Sequence, residues 1–265
     1  MILRPVPRKG LYALATAVAM TATALGLVGS GVASAHSGHH GTASAPRTAA
    51  DIPNLGLVEL RIQAYYGDPN GTGVASPHSN YARQTDGIAA RTRRYLQARL
   101  SQSGPGKPAL VLDIDDTSLL TYGYEVSQGF GFTVASDDAY LETHTLPAVF
   151  GMPALANWAA SHGITVFWIT GRPVSQRALT RKNLAAVGYA PPANKGHLFL
   201  RPSNPPGYLT CGTSCTTSQY KSLTRKHIAA EGYDILADMG DQFSDLRGGF
   251  ADRTVKLPNP MYFIP

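Results

Sequence analysis

Asp113 and Asp115 stand near the end of an apolar run, LVLDIDDT, residues 110–117. Side chains two residues apart point to the same side of an extended chain. Two carboxylates placed together in a partly dry site repel, so one holds a proton or both share a cation. Phosphoryl transfer uses such a pair, one carboxylate as nucleophile and the other as proton donor and acceptor. A strand followed by an acidic turn, with Asp116 as a helix cap, is the alternative for this stretch alone. Other segments bear on the choice. Thr170 ends a second apolar run, ITVFWIT (164–170), and leads into Gly171 and Arg172. Lys221 opens a helical stretch, and a third apolar run, YDILAD (233–238), leads to Asp241 and Asp245.

The residue types suit one chemistry. The Thr170 hydroxyl and backbone N–H groups near Gly171 can donate to phosphoryl oxygens; capping the next helix is the alternative for Thr170. A lysine at a helix N-terminus is unfavourable for the helix dipole. Lys221 makes sense there if it reaches inward to neutralise Asp113 and a bound phosphate, and a solvated surface lysine is the alternative. Asp241 and Asp245, with Asp113 and the backbone carbonyl of Asp115, offer hard oxygens to an octahedral cation, as Mg2+ requires. Lys221 and that cation would favour the charged form of Asp113, leaving Asp115 to carry the proton. Arg172 would reach the substrate phosphate or hold a segment covering the site.

The order Asp, Thr, Lys, Asp/Asp at strand ends resembles the four-motif pattern of the haloacid dehalogenase (HAD) superfamily of phosphatases. DIDDTSL, WITGRP, YKSLTRK, GDQFSDL and the ending KLPNPMYFIP narrow the resemblance. They are similar to the secreted acid phosphatases of HAD subfamily IIIB, of class B type, which include plant acid phosphatases and vegetative storage proteins. The resemblance implies Asp113 as nucleophile, Asp115 as general acid and base, and Thr170, Gly171, Arg172 and Lys221 around the phosphate. It places Mg2+ among Asp113, Asp115, Asp241 and Asp245, with a small phosphate monoester hydrolysed through an aspartyl-phosphate. Residues 118–146 would form a flap or small cap, as an insertion does at this point in the related phosphatases. Asp116 stands where many relatives carry glutamate and is expected off the reaction axis. The same site would serve a 5'-nucleotidase or phosphotransferase, and the storage branch includes members lacking the nucleophile; here Asp113 is present.

These residues need strands to hold them. Apolar runs alternating with helical patterns predict a three-layer, doubly wound parallel sheet with right-handed crossovers. Sites in such sheets lie beyond the carboxyl ends of the strands, where Asp113, Thr170 and Asp241 fall. A helical pattern from Leu55 to Tyr65 and a helix from a Ser79 cap to about Leu100 precede the first strand, and both are expected on the sheet. Helices are predicted over 153–162, from Pro173 at a first helical position to Gly188, and from a Ser218 cap to about Ala230. Short strands are predicted at 197–200 and 254–257.

The chain has 265 residues, enough for one such domain, and a formal charge of +6. Arg4, Arg8 and Lys9 carry part of that excess, and no basic run suggests a nucleic-acid groove, so no duplex partner is expected. The basic start, the apolar run from Leu11 to Val28 and Ala33-Ser34-Ala35 predict a secretory signal over residues 1–35. The protein is therefore expected to be secreted, with no stable membrane anchor once the signal is cleaved; an uncleaved anchor is the alternative. Residues 36–50, with His36, His39 and His40, read as a flexible segment ahead of a phosphatase domain over 51–265. Cys211 and Cys215 are the two cysteines. A turn through Gly212 brings them within disulfide range, and no further ligands nearby suggest zinc.

Overall fold

The computed structural model describes residues 45–102, 104 and 106–265. The predicted signal, residues 1–35, and His36, His39 and His40 lie outside them. Within the segment read as flexible, Ala49 opens a single 3-10 turn, Ala49–Asp51.

In chain order, α1 (Leu55–Tyr66) and α2 (Asn80–Leu100) precede β1 (Lys107–Leu112). Then come α3 (Tyr122–Ser127), α4 (Val134–Thr143), α5 (Met152–Ser161) and β2 (Thr165–Pro173). They are followed by α6 (Arg177–Ala186), β3 (Leu198–Arg201), α7 (Thr217–Ala230) and β4 (Tyr233–Gly240). Finally α8 (Phe243–Leu246) and β5 (Thr254–Lys256) complete the described chain. The strands form one five-stranded parallel sheet in the order β3-β2-β1-β4-β5.

β1 lies at the centre, so both its faces are covered and its sequence is apolar without alternation. Leu110 and Leu112 face the core shared with α2 and α5, through Leu96, Leu155 and Trp158. Ala109 and Val111 face the opposite core, with Tyr220 and Ile228 of α7. Helices on both faces make the three layers the sequence predicts.

Several local expectations change. Pro173 ends β2 rather than opening a helix, because a 3-10 turn, Val174–Gln176, intervenes before α6. The cap of α7 is Thr216, not Ser218: its hydroxyl accepts from the Gln219 N–H at 3.2 Å, and the Gln219 side chain accepts from Thr216 N at 2.9 Å. Such a reciprocal box satisfies two end donors at once. In α1 only Ile62 and Tyr66 are buried, whereas Leu55, Leu57 and Leu60 remain exposed. Residues 118–146, read as a flap or small cap, carry α3 and α4. Cys211 and Cys215 are disulfide-bonded across Gly212–Ser214, with Cα atoms 5.0 Å apart.

Candidate active site

Asp113 follows β1 directly and still belongs to its ladder, its N–H donating to the Met239 carbonyl at 3.0 Å. The chain then turns sharply. Ser118 and Leu119 N–H groups both donate to the Ile114 carbonyl, and Asp116 takes φ 53°, a left-handed conformation that aspartate tolerates better than most residues. That turn aims Asp113 and Asp115 into a cavity of about 470 Å³, which Thr170, Gly171, Arg172, Lys221, Asp241 and Asp245 also line. Every candidate residue of the sequence reading thus borders one space.

Lys221 is the fifth residue of α7 and is buried. Its Nζ donates to Asp113 Oδ1 and to Asp245 Oδ1, each at 2.5 Å. The solvated alternative for this lysine is ruled out by that geometry. Burial pulls its pKa down, but Asp113 and Asp245 outweigh burial and hold it above the ordinary lysine value. It is therefore a fixed positive charge. Asp113 shows the opposite balance: burial raises its carboxyl, Lys221 lowers it, and burial prevails. Lys221 thus acts in the expected direction, and a cation held beside Asp113 would add to it in favouring the charged form. Three further carboxylates, Asp245, Asp241 and Asp115, also push it up.

Carboxylate oxygens of Asp113, Asp241 and Asp245 lie within 4.8 Å of one another, and all three residues are buried. Gly240 brings them together. A Cβ added there would meet the Asp245 Cβ at 2.3 Å, so only glycine lets α8 fold back against the end of β4. Asp245 accepts from the Gln242 N–H at 2.8 Å, while Asp241 accepts from Asn259 at 2.7 Å and Gln242 Nε2 at 2.8 Å. Burial and Asp245 raise Asp241 to about 6. An all-oxygen, acid-rich cluster of this kind fits a hard divalent cation, which would relieve the repulsion.

The Asp115 carboxylate is outside that cluster. It pairs with Arg172, whose Nε donates at 2.9 and 3.1 Å and whose Nη2 donates at 2.5 Å. Arg172 in turn is held by Thr180 at 3.1 Å and is buried. The arginine therefore braces the second carboxylate rather than standing free for the phosphate. Thr170 accepts from the Arg172 N–H at 3.2 Å, which leaves its O–H to donate into the cavity.

Asp116 carries more structure than its sequence position suggests. It is completely buried and accepts from the Thr121 hydroxyl and N–H, and from Tyr262 Oη at 2.8 Å. Burial and Asp241 raise its carboxyl well above the usual range. Sequence reasoning also passed over Arg225, a fully buried arginine that pairs with Asp238 at 2.9 Å. Its guanidinium donates to the carbonyls of Asp245, Arg247 and Gly249, and so fixes the loop carrying Asp245. The signal was present: Lys221, Thr224, Arg225 and Ile228 recur at helical spacing on the buried face of α7.

The parallel order, with an acidic pair after the central strand and further acids after its neighbour, defines a HAD-type phosphatase fold and site. The family model for HAD superfamily, subfamily IIIB (acid phosphatase) matches residues 74–265, and the chain belongs to that family. Acid phosphatase 1 of Solanum lycopersicum is 31% identical over 189 residues, 69% of this chain and 69% of its own length. The stem 28 kDa glycoprotein of Glycine max is 30% identical over 68% of this chain and 69% of its own length. A class C acid phosphatase structure from Bacillus anthracis shares the fold, with TM-score 0.59 and 22% identity over 78% of this chain and 86% of that one.

Proposed function

We propose that the protein is a secreted, Mg2+-dependent acid phosphatase that cleaves small phosphate monoesters through an aspartyl-phosphate. The observation that carries the reading is the buried Lys221 bridging Asp113 and Asp245, beside Asp241, at the mouth of the central strands. Asp113 is the nucleophile: its Oδ attacks phosphorus as the ester oxygen departs. Asp115 gives its proton to that oxygen, then takes one from the water that hydrolyses the aspartyl-phosphate. Thr170 and the backbone near Gly171 donate to the phosphoryl oxygens, and Lys221 offsets their charge. Arg172 holds Asp115 on the reaction axis. Asp113, Asp241 and Asp245, with the Asp115 carbonyl, would hold Mg2+, which supplies charge neutralisation between nucleophile and phosphate. Residues 118–146 serve as the cap that covers the site, and residues 1–35 as the export signal.

Relatives of this chain include an acid phosphatase, a stem glycoprotein and a vegetative storage protein. The intact Asp113–Asp115 pair favours the enzyme. Phosphate release from an aryl phosphate with Mg2+ tests this directly. Activity should vanish with a chelator, return with Mg2+, and fall by at least about 1000-fold in Asp113→Asn. An isosteric amide that kept near-normal turnover would rule out the covalent route. Binding of phosphate with no turnover at all would assign the chain to the storage side.

A further inference from the structure

Glu125 has no part in the chemistry just described, yet it lines the same cavity from α3. It is 4% exposed, and among the described residues it is burial and two other carboxylates, with no hydrogen-bond donor, that act on its carboxyl. A carboxylate so placed, facing other carboxylates, is relieved only by pairing with a cation or by holding a proton. The charged groups acting on it are themselves carboxylates: after burial, Asp115 and Asp137 push it up, to about 7. Arg172, which lines the same cavity, is already committed to Asp115. Around Glu125 the cavity wall is aromatic, with Tyr124, Phe130 and Phe132.

We propose that Glu125 forms a cation subsite, and that the preferred substrates are phosphomonoesters whose alcohol carries an ammonium group. The inference rests on the phosphatase reading, since it assigns the leaving-group end of that site. An ammonium group would draw the raised Glu125 carboxyl back to its charged form and pair with it, which Arg172, spent on Asp115, does not do. An aromatic wall favours an alkylated cation over a hydrated metal ion. A neutral apolar alcohol would fill the aromatic wall but leave Glu125 unpaired. The ester's phosphate end lies with Lys221 and Thr170, so the subsite acts on the other end of the molecule.

Phosphocholine and its uncharged isostere 3,3-dimethylbutyl phosphate separate charge from shape. With Mg2+ present, the intact protein should favour phosphocholine in kcat/KM by at least about 10-fold, mainly through KM. In Glu125→Gln that ratio should fall to near one, while Glu125→Asp keeps part of it. Choline should also inhibit the unaltered protein more strongly than 3,3-dimethylbutanol, a readout that needs no variant. Equal use of both esters by the unaltered protein, or an unchanged ratio in a folded Glu125→Gln, overturns the subsite while leaving the phosphatase reading in place. Failure of every ester, an aryl phosphate included, overturns both.

Discussion

Asp113 is almost fully enclosed and touches Lys221, whereas the Asp115 side chain keeps 30% of its surface and faces Arg172. Proximity in sequence therefore does not give these carboxylates the same surroundings, which is how two like groups take different roles. If Asp115 is the proton donor, its value depends on the leaving group. Asp115→Asn should slow an alkyl phosphate by at least about 100-fold but a nitrophenyl phosphate by less than about 10-fold, since the latter departs without a proton. Arg172→Gln should show the same pattern in weaker form, because it frees the carboxylate without removing it. Equal losses on both esters would remove Asp115 from that role. The spacing of the pair was legible in the sequence because a strand fixes side-chain direction. The Arg172–Asp115 partnership was not, because it joins residues whose distance apart depends on the whole β1–β2 register.

Among the elements, the junction of β4 and α8 decides whether the acids meet. Gly240→Ala forces its Cβ into Asp245, which Gln242 and Lys221 also hold. The variant should lose about 1–3 kcal/mol of stability to overpacking. Its Mg2+ requirement for half-maximal activity should rise by at least about 10-fold. Gly207→Ala, whose Cβ would meet nothing within 4 Å, is the control. A Gly240→Ala protein with unaltered Mg2+ dependence would show that Asp245 is not a ligand. The strands were readable because buried parallel strands are continuous apolar runs, and the cap at Ser79 follows the usual chemistry. Pro173 misled because its fixed φ suits a strand end as well as a first helical turn. Leu55, Leu57 and Leu60 misled because periodicity reports an apolar face, not whether anything covers it.

At the scale of the molecule, the site gathers more buried acid than its internal cations neutralise. Burial raises Asp113 and Asp116 well above their ordinary range, Asp137 less so, Asp241 to about 6, and Asp238 and Glu125 to about 7. Lys221 stays charged throughout this range. The sign follows from proton uptake: the folded chain holds protons that the unfolded chain, with carboxyls near ~4, has already released. The stability these groups contribute is complete below about pH 4 and is lost as pH climbs through about 6 to 7. Asp68 runs the other way, since bonds from Thr72, Tyr122 and Gly73 outweigh its burial and lower it, but its effect lies below that window. In a chelator, the melting temperature should therefore drop by about 5 °C or more between about pH 5 and about pH 8. Mg2+ competes with protons for Asp113, Asp241 and Asp245, so it should stabilise far more at the higher pH and flatten the curve. Asp241→Asn removes a charge from the cluster, and should raise the chelated melting temperature at about pH 8 while abolishing most of the Mg2+ gain. A chelated protein that grows more stable from about pH 5 to about pH 8 would contradict the raised carboxyls, and an Mg2+ gain equal at both ends would contradict their role as its ligands.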